Sequence, residues 1–312
     1  MGRRLVELVF TLVAASALAH IFFATTLGDM GLGAAIADTP SGLADRFVHG
    51  DFGATVGHTC LRKDPTDDYH PLCSSYTAAT IAHMLRTRVP VDLSLLVGGA
   101  LVGTLAGLAG GRWCATRPRS RRTKGLHAIT AVQLSSPPFF QALVVLFYFS
   151  SNASEFVRLP FLSGQGDYVP FGQDPLHYVK AMWTPWLLVA LPLAALVLRI
   201  TEISLREDLQ EDFVRTARAK GLSERRVINR HALPVAAPGI AAMVGVNVAT
   251  LLLTVAVLEY SFAIPGMFRV INTAAIHHDA PVLEGIVIEG VVLITLANFL
   301  VDAIQARLDP RV

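Results

Sequence analysis

The stretch "RTARAKGLSERRVINRHALP", Arg215–Pro234, carries seven basic residues when His231 is counted. It interrupts a strongly apolar chain of 312 residues, 53% hydrophobic and 16% charged, with a mean hydropathy of +0.50. Soluble domains carry roughly 25% charge, so this composition cannot cover a water-facing surface in the ordinary way. The stretch itself reads as a helix, a corner and a second helix. Glu211-Asp212 in front and Arg218 and Lys220 behind match the charges that a helix dipole attracts. Gly221 suits a helix C-terminus, and Ser223 suits the cap of the next helix. Leu233-Pro234 and Pro238 are expected to end that second helix. A solvated loop that only fixes topology is the plain alternative. The helix–glycine–helix order exceeds that need and points to a docking element.

Working outward, six stretches meet the roughly 20 apolar residues a bilayer-spanning helix requires: Leu5–Leu27, Pro90–Gly111, Gly125–Ser150, Trp183–Ile203, Gly239–Leu258 and Val282–Ala303. Their length and lack of two-residue alternation favour helices over barrel strands, so the fold class is an all-α membrane protein. If the N-terminus is cytoplasmic, the inner segments hold seventeen Lys and Arg residues, plus Arg199 at a helix end, against eight outside. Cations gather on the inner side, and both termini are therefore expected inside. A rival exists for the start: Arg3-Arg4, an apolar run and small residues at Ala15-Ser16-Ala17 also fit a cleaved signal peptide. The division is then residues 1–27 as N-terminus and first span, 28–89 as a polar outer region, and 90–312 as a five-helix core containing the inner loop 204–238.

Within the core, Gly99, Gly103, Gly107 and Gly111 line one face of the span that Pro90 is expected to open, a pattern that lets two backbones approach. Pro137 and Pro138, in "SSPPFF", break the third span; in lipid such a break has to be buried in protein or line a cavity. Trp183 and Trp186 suit the membrane interface. Cys60 and Cys73 are the only cysteines placed outside; a bridge between them would contribute roughly 3 kcal/mol, the alternative being two unrelated thiols. Their loop either reaches a partner or buttresses the bundle. Glu284, Glu289 and Asp302 lie at membrane depth, where carboxylates face a cavity or are paired. Glu289 thus joins Pro137 and Pro138 as a candidate for the substrate path, the alternative being a hydrogen bond to a neighbouring helix. His277-His278-Asp279 makes a poor metal site because adjacent side chains point apart, and no metal is expected. No G-x-x-x-x-G-K-[ST] phosphate loop is present, so no catalytic residue and no nucleotide cofactor is assigned to this chain.

The inner stretch resembles the EAA loop of permease subunits of binding-protein-dependent ABC importers: E-A-A, three residues, Gly, nine residues, I-x-L-P. Here Arg215-Thr216-Ala217 is followed by Gly221 and then by His231-Ala232-Leu233-Pro234; Ala217, Gly221, Leu233 and Pro234 match. "EDFVRTARAKGLSERRVINRHAL" is similar to the dipeptide and oligopeptide branch. So are "GDFG" (Gly50–Gly53), "RVPVDLSL", "SSPPFF", "LEYSFAIPGM" (Leu258–Met267), "DAPVLEG" (Asp279–Gly285) and the terminal "NFLVDAIQARLDPRV". Departures are Phe268 where glycine is usual, Ala280 where Tyr is usual, and Glu289.

The resemblance implies a type I ABC importer permease fold with six spans, in the bacterial cytoplasmic membrane. It implies a second homologous permease, two ATPase subunits that bind ATP and Mg, and an extracytoplasmic peptide-binding protein. No nucleic acid enters. In such importers the inner helix–Gly–helix docks in a groove of the ATPase. The corresponding residues are Arg215, Thr216, Ala217, Arg218, Ala219, Lys220, Gly221, Leu222 and Arg225. Ala217 and Gly221 would share the docking face, and the arginines would fork onto carboxylates of the groove. Nickel or another small solute is the alternative cargo, and an ion-coupled carrier the alternative class.

Overall fold

The computed structural model describes residues 11, 13–19, 21–23, 26, 81–150, 162–276 and 278–308, which are helical or irregular, with no strand among them. The Cys60–Cys73 loop, the outer region up to residue 80 and about half of Leu5–Leu27 lie outside the described residues; residues 13–19 and 21–23 of the first apolar stretch are helical. Among the described residues, three helices are long and apolar enough to cross a membrane: α1 (Ile81–Thr116), α4 (Pro175–Asp208) and α10 (Ala280–Leu308). Two bent pairs raise the number of crossings to as many as five among the described residues. One pair is α2 (Arg121–Ser135) with α3 (Pro138–Val144), which runs on as a π-turn to Phe149. The other is α7 (Leu233–Val246) with α8 (Val248–Phe262). Between α4 and α7 lie the short helices α5 (Asp212–Ala219) and α6 (Glu224–Val227), and α9 (Ile271–Ile276) precedes α10.

The chain forms two compact units. The first, residues 1–93 and 265–296, has a core of Ile81, Met84, Met267, Val270, Ala274, Val282, Leu283 and Ile286. The buried Asp92 accepts a hydrogen bond from the Met267 backbone N–H (2.9 Å), and Arg88 donates to the Gly266 carbonyl (3.1 Å). This core corrects one expectation: Pro90 lies inside α1 instead of opening it. A proline in a helix interior costs about 3 kcal/mol or more, and burial of Ile81 and Met84 ahead of it offsets that loss.

The second unit, residues 94–264 and 297–312, is built on α4, the most enclosed of the three long helices. Asp174 caps its start, accepting from the Leu176 and His177 N–H groups at 3.0 Å each. The helix thus begins eight residues before Trp183. Trp183 is exposed, whereas Trp186 turns inward against Gly98, so only the first suits an interfacial position. The glycine face of α1 behaves as its spacing suggests. A β-carbon on Gly103 would lie 2.8 Å from the Ala190 carbonyl oxygen, one on Gly107 2.6 Å from Val197 Cβ, and one on Gly111 2.6 Å from the Leu198 carbonyl oxygen. Gly99 abuts Val189 in the same way. Four glycines therefore hold the two helices at backbone contact.

The prolines at 137 and 138 do break the third span, by 110°. One carbonyl at the break is paired locally by a side chain. Gln141 donates to the Ser136 carbonyl (2.9 Å) and accepts from Gln133 (2.9 Å). Pro137 itself is exposed on this chain and Pro138 half-buried. The stretch Gly239–Leu258 is also broken, by 47° at Asn247, whose side chain donates to the Met243 carbonyl (2.8 Å). Nor do Leu233-Pro234 and Pro238 end a helix. A π-turn, Ile228–Ala232, leads directly into α7, where Pro234 sits in the first turn that tolerates its missing N–H.

Substituting Gly107→Leu should wedge α1 from α4 and destabilise the protein by about 1–3 kcal/mol, the usual range for overpacking. Gly239→Ala, where an added carbon meets nothing within 4 Å, should leave thermal unfolding of the detergent-solubilised protein unchanged.

Candidate functional site

The basic stretch folds into the corner that its grammar suggests. Asp212 opens α5 and Arg218 falls in its last turn, both favourable to the dipole. The helix ends in a two-bond motif: Gly221 N–H donates to the Arg218 carbonyl (2.9 Å) and Leu222 N–H to that of Ala217 (3.4 Å). Gly221 has φ +75°, left-handed territory in which a side chain costs about 1–2 kcal/mol. A β-carbon there meets nothing within 4 Å, so the backbone conformation alone accounts for the glycine. Ser223 occupies the cap position of α6 without making the side-chain bond.

Which side of α5 faces outward differs from the expectation. Ala217 is buried, packed with Val214 and Val227 against Leu209 and Leu222. It therefore shares no open face with Gly221; an eight-residue helix needs its own small core, and the alanine is used there. The outward surface carries Phe213, Thr216 and Lys220, which recur at helical spacing, with Arg215, Ala219, Gly221 and Arg225 beside them. Phe213 was the residue missed: an aromatic ring, 40% exposed, at the edge of that core one turn before Ala217.

The arginines also divide their work. Arg215 pairs with Asp212 at 3.2 Å and stays largely in solvent. Arg218 forks onto Glu224 with bonds of 3.1 and 2.7 Å and donates to the Leu209 carbonyl at 3.3 Å. It thus ties the end of α4 and the start of α6 across the glycine corner. The bond from Arg218 holds the Glu224 carboxyl below its ordinary range, and Arg218 is raised in turn. A lowered carboxyl pKa contributes stability present above its unfolded value and lost as pH falls through the folded one, so the pair persists at neutral pH.

The root of the element is fixed as well. Ala115, Leu205 and Ala232 form a buried cluster with Leu209 and Leu233, joining the ends of α1 and α4 to the π-turn. Arg112 donates to Asn229 at 2.8 Å. Nearby, Cys114, His127 and Glu202 converge; sequence reading did not associate them, being 13 and 75 positions apart along the chain.

The candidates for a substrate path are not brought to the corner. Pro137 and Pro138 form the α2–α3 break, and Glu289 is buried in the first unit beside Asp92.

Comparison with known proteins follows the same direction. Residues 103–312, more than half the chain, match the family described as the inner membrane component of binding-protein-dependent transport systems. The dipeptide transport system permease protein of Bacillus subtilis is 29% identical over 75% of this chain and 71% of its own length. The oligopeptide transport system permease protein of Mycobacterium bovis is 29% identical over 91% of this chain and 82% of its own. Among solved structures, a chain of the MetNI methionine ABC transporter in inward facing conformations superposes with a TM-score of 0.55 at 18% identity. It covers 72% of this chain and 96% of that one, a likeness of fold. With its helix–glycine–helix corner rooted on α1 and α4, this chain, helical and without strands among the described residues, belongs to the family of binding-protein-dependent transport system inner membrane components and has the type I ABC importer permease fold.

Proposed function

We propose that the chain is the transmembrane permease subunit of an ATP-driven importer that takes up di- and oligopeptides from an extracytoplasmic binding protein. The observation that carries this reading is the corner at Gly221: a rigid, outward-facing α5 tied to two long helices, as a docked lever requires. The names of the dipeptide and oligopeptide relatives support the cargo class. In this reading the chain crosses the bacterial inner membrane six times with both termini inside, pairs with a homologous permease, and sits on two ATPase subunits. Those subunits hold ATP and Mg; this chain performs no hydrolysis. A Cys60–Cys73 bridge in the outer region is part of the same reading, its loop either reaching the binding protein or buttressing the bundle.

The lever works through contacts already described. When the ATPase dimer closes, it displaces the surface of Phe213, Thr216, Ala219, Lys220 and Arg225. Arg218 transmits that displacement to the end of α4, the Leu205–Ala232 cluster carries it to the end of α1, and the glycine face moves both helices together. Arg218 is thus a positioning residue, and its bidentate bond gives the corner its stiffness.

Gly221→Asp, a residue type that tolerates left-handed backbone, keeps the corner but sets a carboxylate on the docking face. Peptide-stimulated ATPase activity of the reconstituted importer should be lost while the complex still assembles; unchanged stimulation contradicts the docking assignment. The clamp has its own test. Arg218→Glu and Glu224→Arg singly should each uncouple hydrolysis from transport, and the double exchange should restore most of the coupling, since an exposed pair alone contributes only about 0.2–1 kcal/mol to stability. Equal defects in the single and double variants rule the clamp out. Uptake of labelled di- and tetrapeptides against nickel by the same preparation decides the cargo.

A further inference from the structure

We propose that Cys114, His127 and Glu202 form a binding site for a divalent cation of the zinc class. The three residues come from different helices, α1, α2 and α4, and their ligand atoms all lie within 4.8 Å of one another. Cys114 is fully buried and the Glu202 side chain is 8% exposed, whereas the His127 side chain is 46% exposed and gives an entry path. A thiolate, an imidazole and one carboxylate suit zinc or cobalt(II), and not the oxygen-seeking magnesium or calcium.

Coordination needs a modest rearrangement, in which the widest pair of ligand atoms, up to 4.8 Å apart, draws together. Bonds of about 2.3 Å to sulfur and about 2.0–2.2 Å to nitrogen and oxygen put tetrahedral ligand atoms roughly 3.4–3.6 Å apart. His127 Nε2 and Glu202 Oε2 stand 2.7 Å apart, so they must separate by about 0.7 Å to admit the ion. The remaining oxygen is already held. Arg206 pairs with Glu202 Oε1 at 2.6 Å and reaches the Cys114 carbonyl at 3.4 Å. It fixes the carboxylate as a one-oxygen ligand and steadies the cysteine, the supporting shell that metal sites use. The α1–α2 corner is braced too: Thr123 donates to the Arg117 carbonyl at 2.7 Å, and Ser120 caps the Arg122 N–H at 3.2 Å. Water would complete the fourth position. An ion here pins three helix ends just above the root of α5, so occupancy would stiffen the segment through which the lever acts.

The test uses the assembled importer, purified with a tag free of histidine, stripped with a chelator and dialysed against cobalt(II). The wild type should retain one cobalt more per copy of this chain than Cys114→Ser or His127→Gln, with a thiolate-to-cobalt charge-transfer band that both variants lose. Retention should weaken as pH falls, because the thiol and imidazole must shed protons to bind. Zinc should raise the melting temperature of the wild-type complex but not that of His127→Gln, which alters a half-exposed side chain. Equal cobalt content in all three proteins, cobalt bound without the band, or an equal zinc effect on both complexes overturns the proposal.

Discussion

The constraint on which the rest depends is the approach of α1 to α4 at glycine distance. In lipid, no hydrophobic force drives helices together, and close packing of small residues does that work instead. Gly99, Gly103, Gly107 and Gly111 remove the side chains that would keep the backbones apart, and Val189, Ala190, Val197 and Leu198 fill the space. The two helices are thereby held at backbone contact along four turns. A single methyl at Gly103, Gly107 or Gly111 would meet carbonyl oxygen or β-carbon within 3 Å.

At the ends of these helices stands a small helix–glycine–helix corner with a core of its own, the element proposed as the lever. Helices as short as α5 and α6 are marginal by themselves; they persist because Val214, Ala217 and Val227 close a core and Arg218 bonds across the corner. The cluster of Ala115, Leu205 and Ala232 then welds the lever to both long helices. Polar side chains brace the two helix breaks, where Gln141 donates to the Ser136 carbonyl and Asn247 adds a bond to that of Met243.

Much of this was legible beforehand, where a local rule and its tertiary use agree. The glycine stripe, the break at Pro137, the α5 boundaries and the left-handed Gly221 all follow from residue type and spacing. Elsewhere packing overrode the local rule. Pro90 reads as a helix start, yet Ile81 and Met84 gain enough by burial to extend α1 past it. Pro234 reads as a stop, yet it lies where a missing N–H is harmless. Ala217 reads as a docking residue because it is small, but the lever's own core claims it. The break at Asn247 has no proline to announce it. Cys114, His127 and Glu202 sit on three separate helices, so only the folded arrangement associates them.

The central claim is that the outward face of α5 rests against a separate ATPase on the inner side of the membrane. A photo-cross-linking amino acid at Ala219, exposed and outside the lever's core, tests it most directly in vesicles containing the whole importer. Irradiation should give a covalent adduct between this chain and the ATPase subunit, changing in yield when a non-hydrolysable ATP analogue closes the ATPase dimer. An adduct with the extracytoplasmic binding protein, or none with the ATPase under either condition, would contradict the account.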